Sequence, residues 1–286
     1  MAVVDVHSMQ PPAGTFGDGA SRVAPVLRFD QVTVQFEDKP ALIDVSFEVH
    51  TGETRVVFGA TGSGKTVLLK TALGLIRPEA GRVYLFGRNI TRLSERQLFP
   101  LRRGIGVLFQ ESALFDSMSV EDNVAYPLLN QLDRKLPEDE VRARVKEALD
   151  FVELGEAMEK YPSELSGGMR RRVGIARATV ANPPLMLYDS PTGGLDPVTA
   201  YRIVKLIIQQ REARNATPIV VTNRYPIGHL LANYHHDART GKLVRTGNEQ
   251  SQTQFMVLRQ GRLVFHGSET ELRSSTDPYI SIFAKP

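Results

Sequence analysis

The chain has 286 residues, of which 42% are hydrophobic and 23% are charged, and its formal net charge is +3. A charge this close to balance, without a long run of Lys or Arg, argues against a nucleic-acid partner. The chain contains no cysteine, which excludes disulfides and thiolate metal sites, and it has no apolar run of about 18 residues that could span a membrane.

The first 25 residues lack the basic start and apolar core of a secretory signal, and they include Pro11, Pro12 and scattered small residues. This composition predicts a disordered leader. In segments 26–36 and 45–49, apolar and polar residues largely alternate, which predicts strands of an antiparallel sheet.

Short apolar runs then alternate with helical patterns. The predicted strands are 54–58, 82–86, 104–109, 185–188 and 218–222, and the predicted helices are 66–75, 138–152 and 198–211. Apolar strands separated by helices are typical of a parallel sheet covered on both faces. No strand pattern is evident between 110 and 163, which predicts an inserted helical subdomain. A last hairpin is expected at 255–258 and 263–266.

A glycine-rich turn stands between the strand predicted at 54–58 and the helix predicted at 66–75. Its residues match the P-loop pattern G-x-x-x-x-G-K-[ST]: Gly59, Ala60, Thr61, Gly62, Ser63, Gly64, Lys65 and Thr66. Glycines let successive amides point at an anion, and the helix that follows adds its positive end. The pattern therefore predicts an ATP site, with Lys65 on the β- and γ-phosphates and the Thr66 hydroxyl on Mg²⁺.

The apolar strand predicted at 185–188 ends in the carboxylate of Asp189. This is the Walker B arrangement, in which a buried strand delivers a carboxylate rigidly to the Mg²⁺ of the same nucleotide.

Upstream of that strand, Leu165, Ser166, Gly167, Gly168 and Met169 precede an arginine-rich helical stretch. This run resembles the signature motif of the ABC (ATP-binding cassette) transporter ATPases. A serine hydroxyl, two glycine amides and a helix N-terminus can form a second anion site. The three arginines that follow, 170–172, are expected on a solvated helix face.

The resemblance covers residues from about 26 to 268 and implies roles for further positions. Gln110 resembles the Q-loop glutamine that contacts Mg²⁺ and the attacking water, and Asp196 closes a run that resembles the D-loop. Phe36 stands where such proteins place an aromatic ring under adenine, although a core phenylalanine is an alternative. In this family the signature of one subunit closes over ATP held by the P-loop of its partner, which implies a homodimer or heterodimer.

The family's fold is α/β: a P-loop NTPase cassette with a mixed core sheet and flanking helices, an antiparallel β subdomain and an inserted helical subdomain. The implied organisation is a leader at 1–25, an ATP-binding domain at 26–270 with its helical subdomain at about 111–165, and a C-terminal tail at 271–286.

Two positions depart from the family pattern. Ser190 follows Asp189 where the family has a glutamate that orients and deprotonates water, and Asn223 stands where the switch histidine usually lies. Serine is a poor proton acceptor at neutral pH, and asparagine cannot relay a proton. Nucleotide binding is expected to survive. Three alternatives remain for hydrolysis. The chain hydrolyses ATP slowly, it pairs with a complete ATPase subunit, or Glu111 replaces the missing base.

Segment 228–254 is longer than the family usually has, and includes His235, His236 and Asp237. Adjacent histidines point in different directions on most backbones, so a surface loop or added hairpin is predicted rather than a metal site.

The run from Gln110 to Leu128 is similar to the ATPases of Mla- and Mce-type lipid transporters. That resemblance implies integral membrane permease subunits, a periplasmic lipid-binding component and a place on the cytoplasmic face of a bacterial inner membrane. Two rival functions are a nucleotide-gated clamp with little hydrolysis and a soluble ABC protein acting on DNA or ribosomes. The latter requires two cassettes or a long coiled coil, neither of which the sequence shows.

Overall fold

The computed structural model describes residues 24–37, 39–130, 136–246 and 252–285. The predicted leader therefore lies almost entirely outside the described residues. Within them, none of the helices combines the length and the apolar character that crossing a membrane requires.

The strands are β1 (Leu27–Phe36), β2 (Lys39–Val49), β3 (Thr54–Gly59), β4 (Ala80–Leu85), β5 (Arg88–Asn89), β6 (Ile105–Leu108), β7 (Leu185–Asp189), β8 (Thr217–Val221), β9 (Tyr234–Asp237), β10 (Lys242–Arg245), β11 (Thr253–Arg259) and β12 (Arg262–Gly267). The helices are α1 (Lys65–Ala72), α2 (Glu95–Arg102), α3 (Val120–Asn130), α4 (Glu138–Phe151), α5 (Gly167–Thr179), α6 (Pro197–Arg214), α7 (Tyr225–Asn233), α8 (Glu269–Ser274) and α9 (Pro278–Ser281).

The central sheet has six strands in the order β12-β11-β3-β8-β7-β6. Neighbours from β11 to β6 pair in parallel, and β12 pairs antiparallel with β11 in the predicted last hairpin. The prediction of a mixed core sheet is confirmed. Strands β3, β7 and β8 are buried along their whole length, in keeping with their mostly apolar sequences.

Successive side chains of the central strands point to opposite faces and enter two separate cores. Phe58 and Tyr188 join a core that also includes apolar residues of helices α3 to α7, whereas Val57 and Leu187 join a core shared with α1 and the antiparallel sheet. Each fully buried side chain of this size contributes about 1.5–3 kcal/mol relative to exposure. The sheet is therefore fixed from both sides, which holds its loop-bearing edge in place.

A four-stranded antiparallel sheet, in the order β2-β1-β4-β5, covers one of these cores. Phe29 of β1 stacks on Phe47 of β2 with ring centroids 4.8 Å apart. The strand predicted at 82–86 belongs here rather than to the parallel sheet. The physical reason is its alternation, since Val83 and Leu85 are buried whereas Arg82 is exposed.

Between β6 and β7 the described residues contain helices and no strand. Helix α4 buries Val141, Val145, Ala148 and Leu149 on one face, so the helix predicted at 138–152 is confirmed.

The start of segment 228–254 is helical, which the sequence did not indicate. Pro226 and Gly228 look like loop residues, but proline is favoured in the first turn of a helix. A Cβ on Gly228 would lie 2.8 Å from Cζ of Phe58, so the glycine lets α7 pack closely on the sheet. Strands β9 and β10 then form an antiparallel two-stranded hairpin.

Candidate functional site

Strands β3, β8, β7 and β6 are consecutive and parallel in the central sheet, so their carboxyl ends lie along one edge. In open α/β sheets, ligands bind outside the carboxyl ends of the strands. The predicted site residues lie in the segments that follow these four strands: Ala60 to Thr66 after β3, Ser190 directly after β7, and Asn223 and Gln110 two residues beyond the ends of β8 and β6.

The P-loop turns sharply into α1. Gly64 adopts φ 104° as the residue before the helix, and a Cβ there would lie 2.4 Å from the carbonyl oxygen of Ala41. Only glycine fits this position without moving the backbone. No side chain caps the N-terminus of α1, and its first turn contains no acidic residue. This end of the helix therefore favours an anion.

The ammonium group of Lys65 lies inside the loop. Its Nζ donates hydrogen bonds of 2.8 Å to the carbonyl oxygens of both Gly59 and Ala60. Burial lowers the pKa of Lys65, and the nearby carboxylate of Asp189 opposes this effect. The two carbonyl groups hold the ammonium at the point where phosphate oxygens can take their place.

Thr66 and Asp189 face each other at the base of the loop. The Thr66 hydroxyl donates a 2.8 Å hydrogen bond to Oδ2 of Asp189, which is only 3% exposed at the end of β7. A hydroxyl and a carboxylate are hard oxygen ligands of the type that Mg²⁺ prefers. Two of the three predicted metal ligands, Thr66 and Asp189, are therefore adjacent and suited to the ion.

Ser190 adopts a positive φ of 50° directly after β7. Its amide donates to the carbonyl of Val221 at 2.9 Å, and its hydroxyl donates to Oδ1 of Asp189 at 3.3 Å. Asn223 is exposed one residue beyond Thr222, whose amide bonds to the carbonyl of Val57 at 3.1 Å. The structure thus brings both unusual positions to the same edge as the P-loop.

Gln110 is exposed after β6, and its backbone carbonyl accepts a hydrogen bond from Arg171. Arg171 also donates to the carbonyls of Phe109 at 3.4 Å and Gly193 at 3.2 Å. The expectation that residues 170–172 form a solvated face is wrong for Arg171, which is 6% exposed. Burial lowers its pKa, against the opposing charges of Asp189 and Glu111.

Arg171 is a structural link beside the site that the sequence did not predict. Helical spacing contained the signal, because Arg171 falls on the same stripe of α5 as Gly174, Ile175 and Thr179, all of them buried. Its guanidinium ties the segment after β6 to the loop before α6.

The signature run and the D-loop are placed by helix capping. The Ser166 hydroxyl accepts from the amide of Met169 at 3.2 Å, and the Asp196 carboxylate accepts from the amides of Val198 and Thr199, both at 3.0 Å. Hydrogen bonds with Thr199 lower the pKa of Asp196. The two helix starts touch, since a Cβ on Gly168 would lie 2.7 Å from the Thr199 methyl group. Ser166 and Gly167 themselves are exposed, open to a partner.

Phe36 ends β1 with 48% of its surface exposed, so the alternative of a core phenylalanine is wrong. In the hairpin of β9 and β10, His235, His236 and Asp237 turn to different neighbours: Thr246, Gln209 and Thr240 respectively.

The chain resembles known transport proteins in sequence. The family model described as "ABC transporter" matches residues 42–193, more than half of the chain. The "Probable ribonucleotide transport ATP-binding protein mkl" of Mycobacterium tuberculosis (strain ATCC 25618 / H37Rv) is 40% identical over 224 residues, which are 78% of this chain and 60% of that protein. The "Methionine import ATP-binding protein MetN" of Mesorhizobium japonicum is 39% identical over 222 residues, again 78% and 60%. The chain thus spans about three fifths of the length of these curated relatives.

Solved structures share the fold. One titled "Dimeric structure of a post-hydrolysis state of the ATP-binding cassette MJ0796 bound to ADP and Pi" superposes with a TM-score of 0.71 at 29% identity, covering 85% of this chain and 98% of that one. The structure of cbiO1 from Clostridium perfringens, titled as part of the ABC transporter complex cbiONQ, gives a TM-score of 0.73 at 27% identity, covering 89% and 92%. With its P-loop, Walker B carboxylate and signature run assembled on this fold, the chain belongs to the ABC transporter family of ATP-binding cassettes.

Proposed function

We propose that the chain is the ATP-binding subunit of an ABC transporter, and that it hydrolyses Mg·ATP slowly at a dimer interface to drive a membrane permease. This proposal rests on one observation: Lys65, Thr66 and Asp189 lie close together at the carboxyl edge of the central sheet. A nucleoside triphosphate with its Mg²⁺ requires a cation for the phosphates and oxygen ligands for the metal, and these three side chains supply them.

Each of these side chains has a definite task. Lys65 exchanges its two carbonyl partners for the β- and γ-phosphates, while Thr66 and Asp189 would hold Mg²⁺, which when bound neutralises developing phosphate charge. Gln110 orients water and senses the permease, and Asn223 donates its NH₂ to the γ-phosphate. Phe36 stacks under adenine, with an exposed ring face available for the purpose.

Two cassettes are needed to complete the site. The exposed Ser166 hydroxyl and the glycine amides beside it close over a nucleotide held by the partner's P-loop, whether the partner is a second copy or a related subunit. Asp196, exposed at the start of α6, faces the same partner. The MJ0796 cassette, solved as a dimer with ADP and Pi, supports this arrangement by its similar fold.

The hydrolysis rate is set by Ser190. Its hydroxyl bonds to Asp189 and can hold a water molecule, but it is a poor base at neutral pH. Loss of a general base costs about 10²- to 10⁴-fold in rate. The same residue favours a second candidate function, a nucleotide-gated clamp that scarcely turns over.

The proposal of a permease partner is supported by a groove of about 270 Å³ beside the Q-loop. Its lining includes Phe115, which is 40% exposed and lies 4.8 Å from the ring of Tyr126, and Arg177, whose guanidinium lies over the Phe115 ring at 5.5 Å. An exposed aromatic floor of this kind suits an apolar helix turn from a membrane subunit.

We assign a phospholipid or related lipid as the cargo, on the resemblance of residues 110–128 to Mla- and Mce-type ATPases. A periplasmic lipid-binding component and a place on the cytoplasmic face of a bacterial inner membrane follow from the same resemblance. The relatives are named for ribonucleotide transport and methionine import, so ribonucleotides and methionine are the rival cargoes. Copurification with the permease and mass spectrometry of the bound small molecules decides among the three.

The nucleotide function is tested by calorimetric titration of Mg·ATP and by phosphate release, with Lys65→Ala as the comparison. We expect the wild type to bind, and we expect the variant to lose at least about 100-fold in affinity because a charge-assisted phosphate contact is removed. Equal binding by both proteins, or none by the wild type, overturns the proposal.

A further inference from the structure

The C-terminal brace, residues 268–285, packs against the back of the P-loop. Leu272, Ile280 and Phe283 are buried, and the Phe283 ring stacks on Phe58, the residue before Gly59, with centroids 5.8 Å apart. A segment that is last in sequence therefore lies directly behind the nucleotide loop.

Tyr279 connects the brace to the loop itself. Its hydroxyl accepts a hydrogen bond from the amide of Ala60 at 3.0 Å and donates one to the carbonyl of Leu258 at 3.0 Å. Leu258 is the residue that pairs with Gly59 where β11 runs beside β3. The hydroxyl thus bridges the two strands at the point where their own pairing ends.

Ala60 also supports the catalytic lysine. Its carbonyl accepts from Nζ of Lys65 at 2.8 Å and from the amide of Ser63 at 3.1 Å. When Lys65 moves to a phosphate, Ala60 loses one of its partners. The hydrogen bond that the Ala60 amide donates to the Tyr279 hydroxyl then keeps this part of the loop in place.

The Tyr279 side chain is itself held in place. Asp277 caps α9 by accepting from the amide of Tyr279 at 2.7 Å, and the guanidinium of Arg259 lies over its ring at 5.2 Å. Phe283 meets the same ring edge-on at 5.3 Å. A hydroxyl placed by three independent contacts is preorganised for its bond to the loop.

A second anchor joins the brace to the helix that follows Asn223. The Glu269 carboxylate accepts hydrogen bonds from the Tyr225 hydroxyl at 2.5 Å and from Nδ2 of Asn233 at 2.6 Å, and it lies 2.8 Å from Nδ1 of His229. All three partners belong to α7. The brace thus contacts the elements that carry the P-loop and the switch position.

We propose that Tyr279 is a positioning residue for nucleotide binding, which holds Ala60 so that the P-loop stays shaped for phosphate when Lys65 departs. The inference rests on the proposed function, because it concerns affinity for Mg·ATP. Its physical basis is preorganisation: a loop fixed in its bound shape loses less freedom on binding.

The test is calorimetric titration of Mg·ATP into the full-length Tyr279→Phe variant, which keeps the ring and removes only the hydroxyl. Tyr84→Phe is the matched control, because that half-buried ring lies in the antiparallel sheet against Arg28. We expect Tyr279→Phe to raise Kd about three- to tenfold, the size of one lost hydrogen bond, with unchanged stoichiometry. The control should match the wild type.

Titration separates a positioning role from a structural one, since partial unfolding lowers the stoichiometry and leaves the Kd of the remaining sites unchanged. An unchanged Kd in Tyr279→Phe overturns the inference, whatever happens to stoichiometry. If the wild type itself does not bind Mg·ATP, the proposed function fails; if the wild type binds and the variant binds equally, only this inference fails.

Discussion

The hydroxyl of Thr66 lies 2.8 Å from Oδ2 of Asp189 and donates to it, which joins the first turn of α1 to the end of β7. These residues are 123 positions apart in the chain, and the bond between them shows that two separate motifs form one site.

Thr66→Val should weaken the dependence of ATP binding on Mg²⁺. Valine preserves the shape but supplies no oxygen, so the metal loses one hard ligand. Titration of ATP with Mg²⁺ and with a chelator measures the difference. We expect the Mg²⁺-dependent gain in affinity to fall at least about tenfold in Thr66→Val and to persist in Thr66→Ser. A full gain in the valine variant would contradict the assignment.

Ser190→Glu should accelerate hydrolysis by at least about tenfold, and by up to the 10²- to 10⁴-fold that a general base can contribute. Ser190 already adopts a positive φ of 50° at this position, so glutamate meets the same backbone cost as serine. Multiple-turnover phosphate release is the measurement. Ser190→Gln is the control, since it has the same length and is not basic. Equal rates in the two variants would show that a missing base does not limit the rate.

Arg171→Met should lower the free energy of unfolding by about 2–4 kcal/mol, because it removes a buried guanidinium that donates to three backbone carbonyl groups. Denaturant unfolding measures this loss. Arg170→Met is the matched control on the next residue, where the side chain is exposed and donates to Leu165 at 2.6 Å. We expect a loss of about 1 kcal/mol or less there. Equal losses would mean that burial of Arg171 does not matter.

Glu269→Gln should make the free energy of unfolding less sensitive to a fall in pH. Burial alone raises the pKa of Glu269, but hydrogen bonds from Tyr225, Asn233 and His229 outweigh it and hold the pKa below its usual value. A carboxyl with a lowered folded-state pKa stabilises the fold above its ordinary pKa of about 4.3, and this contribution is lost as the pH falls through the folded value.

Urea unfolding between pH 5 and pH 3 (about the range in which a carboxyl titrates) measures the slope of stability against pH. We expect a shallower slope in Glu269→Gln than in the wild type. The exposed Glu159, replaced by glutamine, serves as the control and should leave the slope unchanged. Identical slopes in all three proteins would refute the prediction.

Phe36→Ala should weaken ATP binding about five- to thirtyfold, the value of one stacked base at about 1–2 kcal/mol. Phe36→Tyr should bind as well as the wild type. Inorganic tripolyphosphate has no base to stack, so its affinity should be the same for all three proteins. A parallel loss of tripolyphosphate binding would assign Phe36 to the shape of the site rather than to adenine.

The central fold and the phosphate site could be predicted from the sequence because their signals are contiguous. The P-loop is eight adjacent residues between a strand and a helix, and Asp189 ends a strand that is apolar throughout. The prediction that strand 82–86 belongs with the parallel strands is wrong, although its alternation is typical of a sheet with one exposed face. In that case the pattern was sufficient and the interpretation was wrong.

Contacts between distant segments could not be predicted in the same way. Tyr279 and Ala60 are 219 positions apart, and no periodicity relates a hydroxyl to a backbone amide. Helix α7 was missed because Pro226 and Gly228 act as loop residues on average, whereas here proline opens the helix and glycine allows close packing on Phe58. Tertiary packing overrides local preference at both positions.

The arrangement of β11 beside β3 also affects how the protein is made. A ribosome completes the P-loop early, but the bond from Ala60 to Tyr279 must wait for 219 further positions, about 10–40 s at 5–20 residues per second. Until β11 emerges, one edge of the apolar strand β3 has no partner, and such an edge invites pairing with other chains. Translation that stops before residue 253 therefore releases a nascent chain that lacks β11 and the Tyr279 contact to the P-loop. Its β3 edge is unpaired and prone to aggregation.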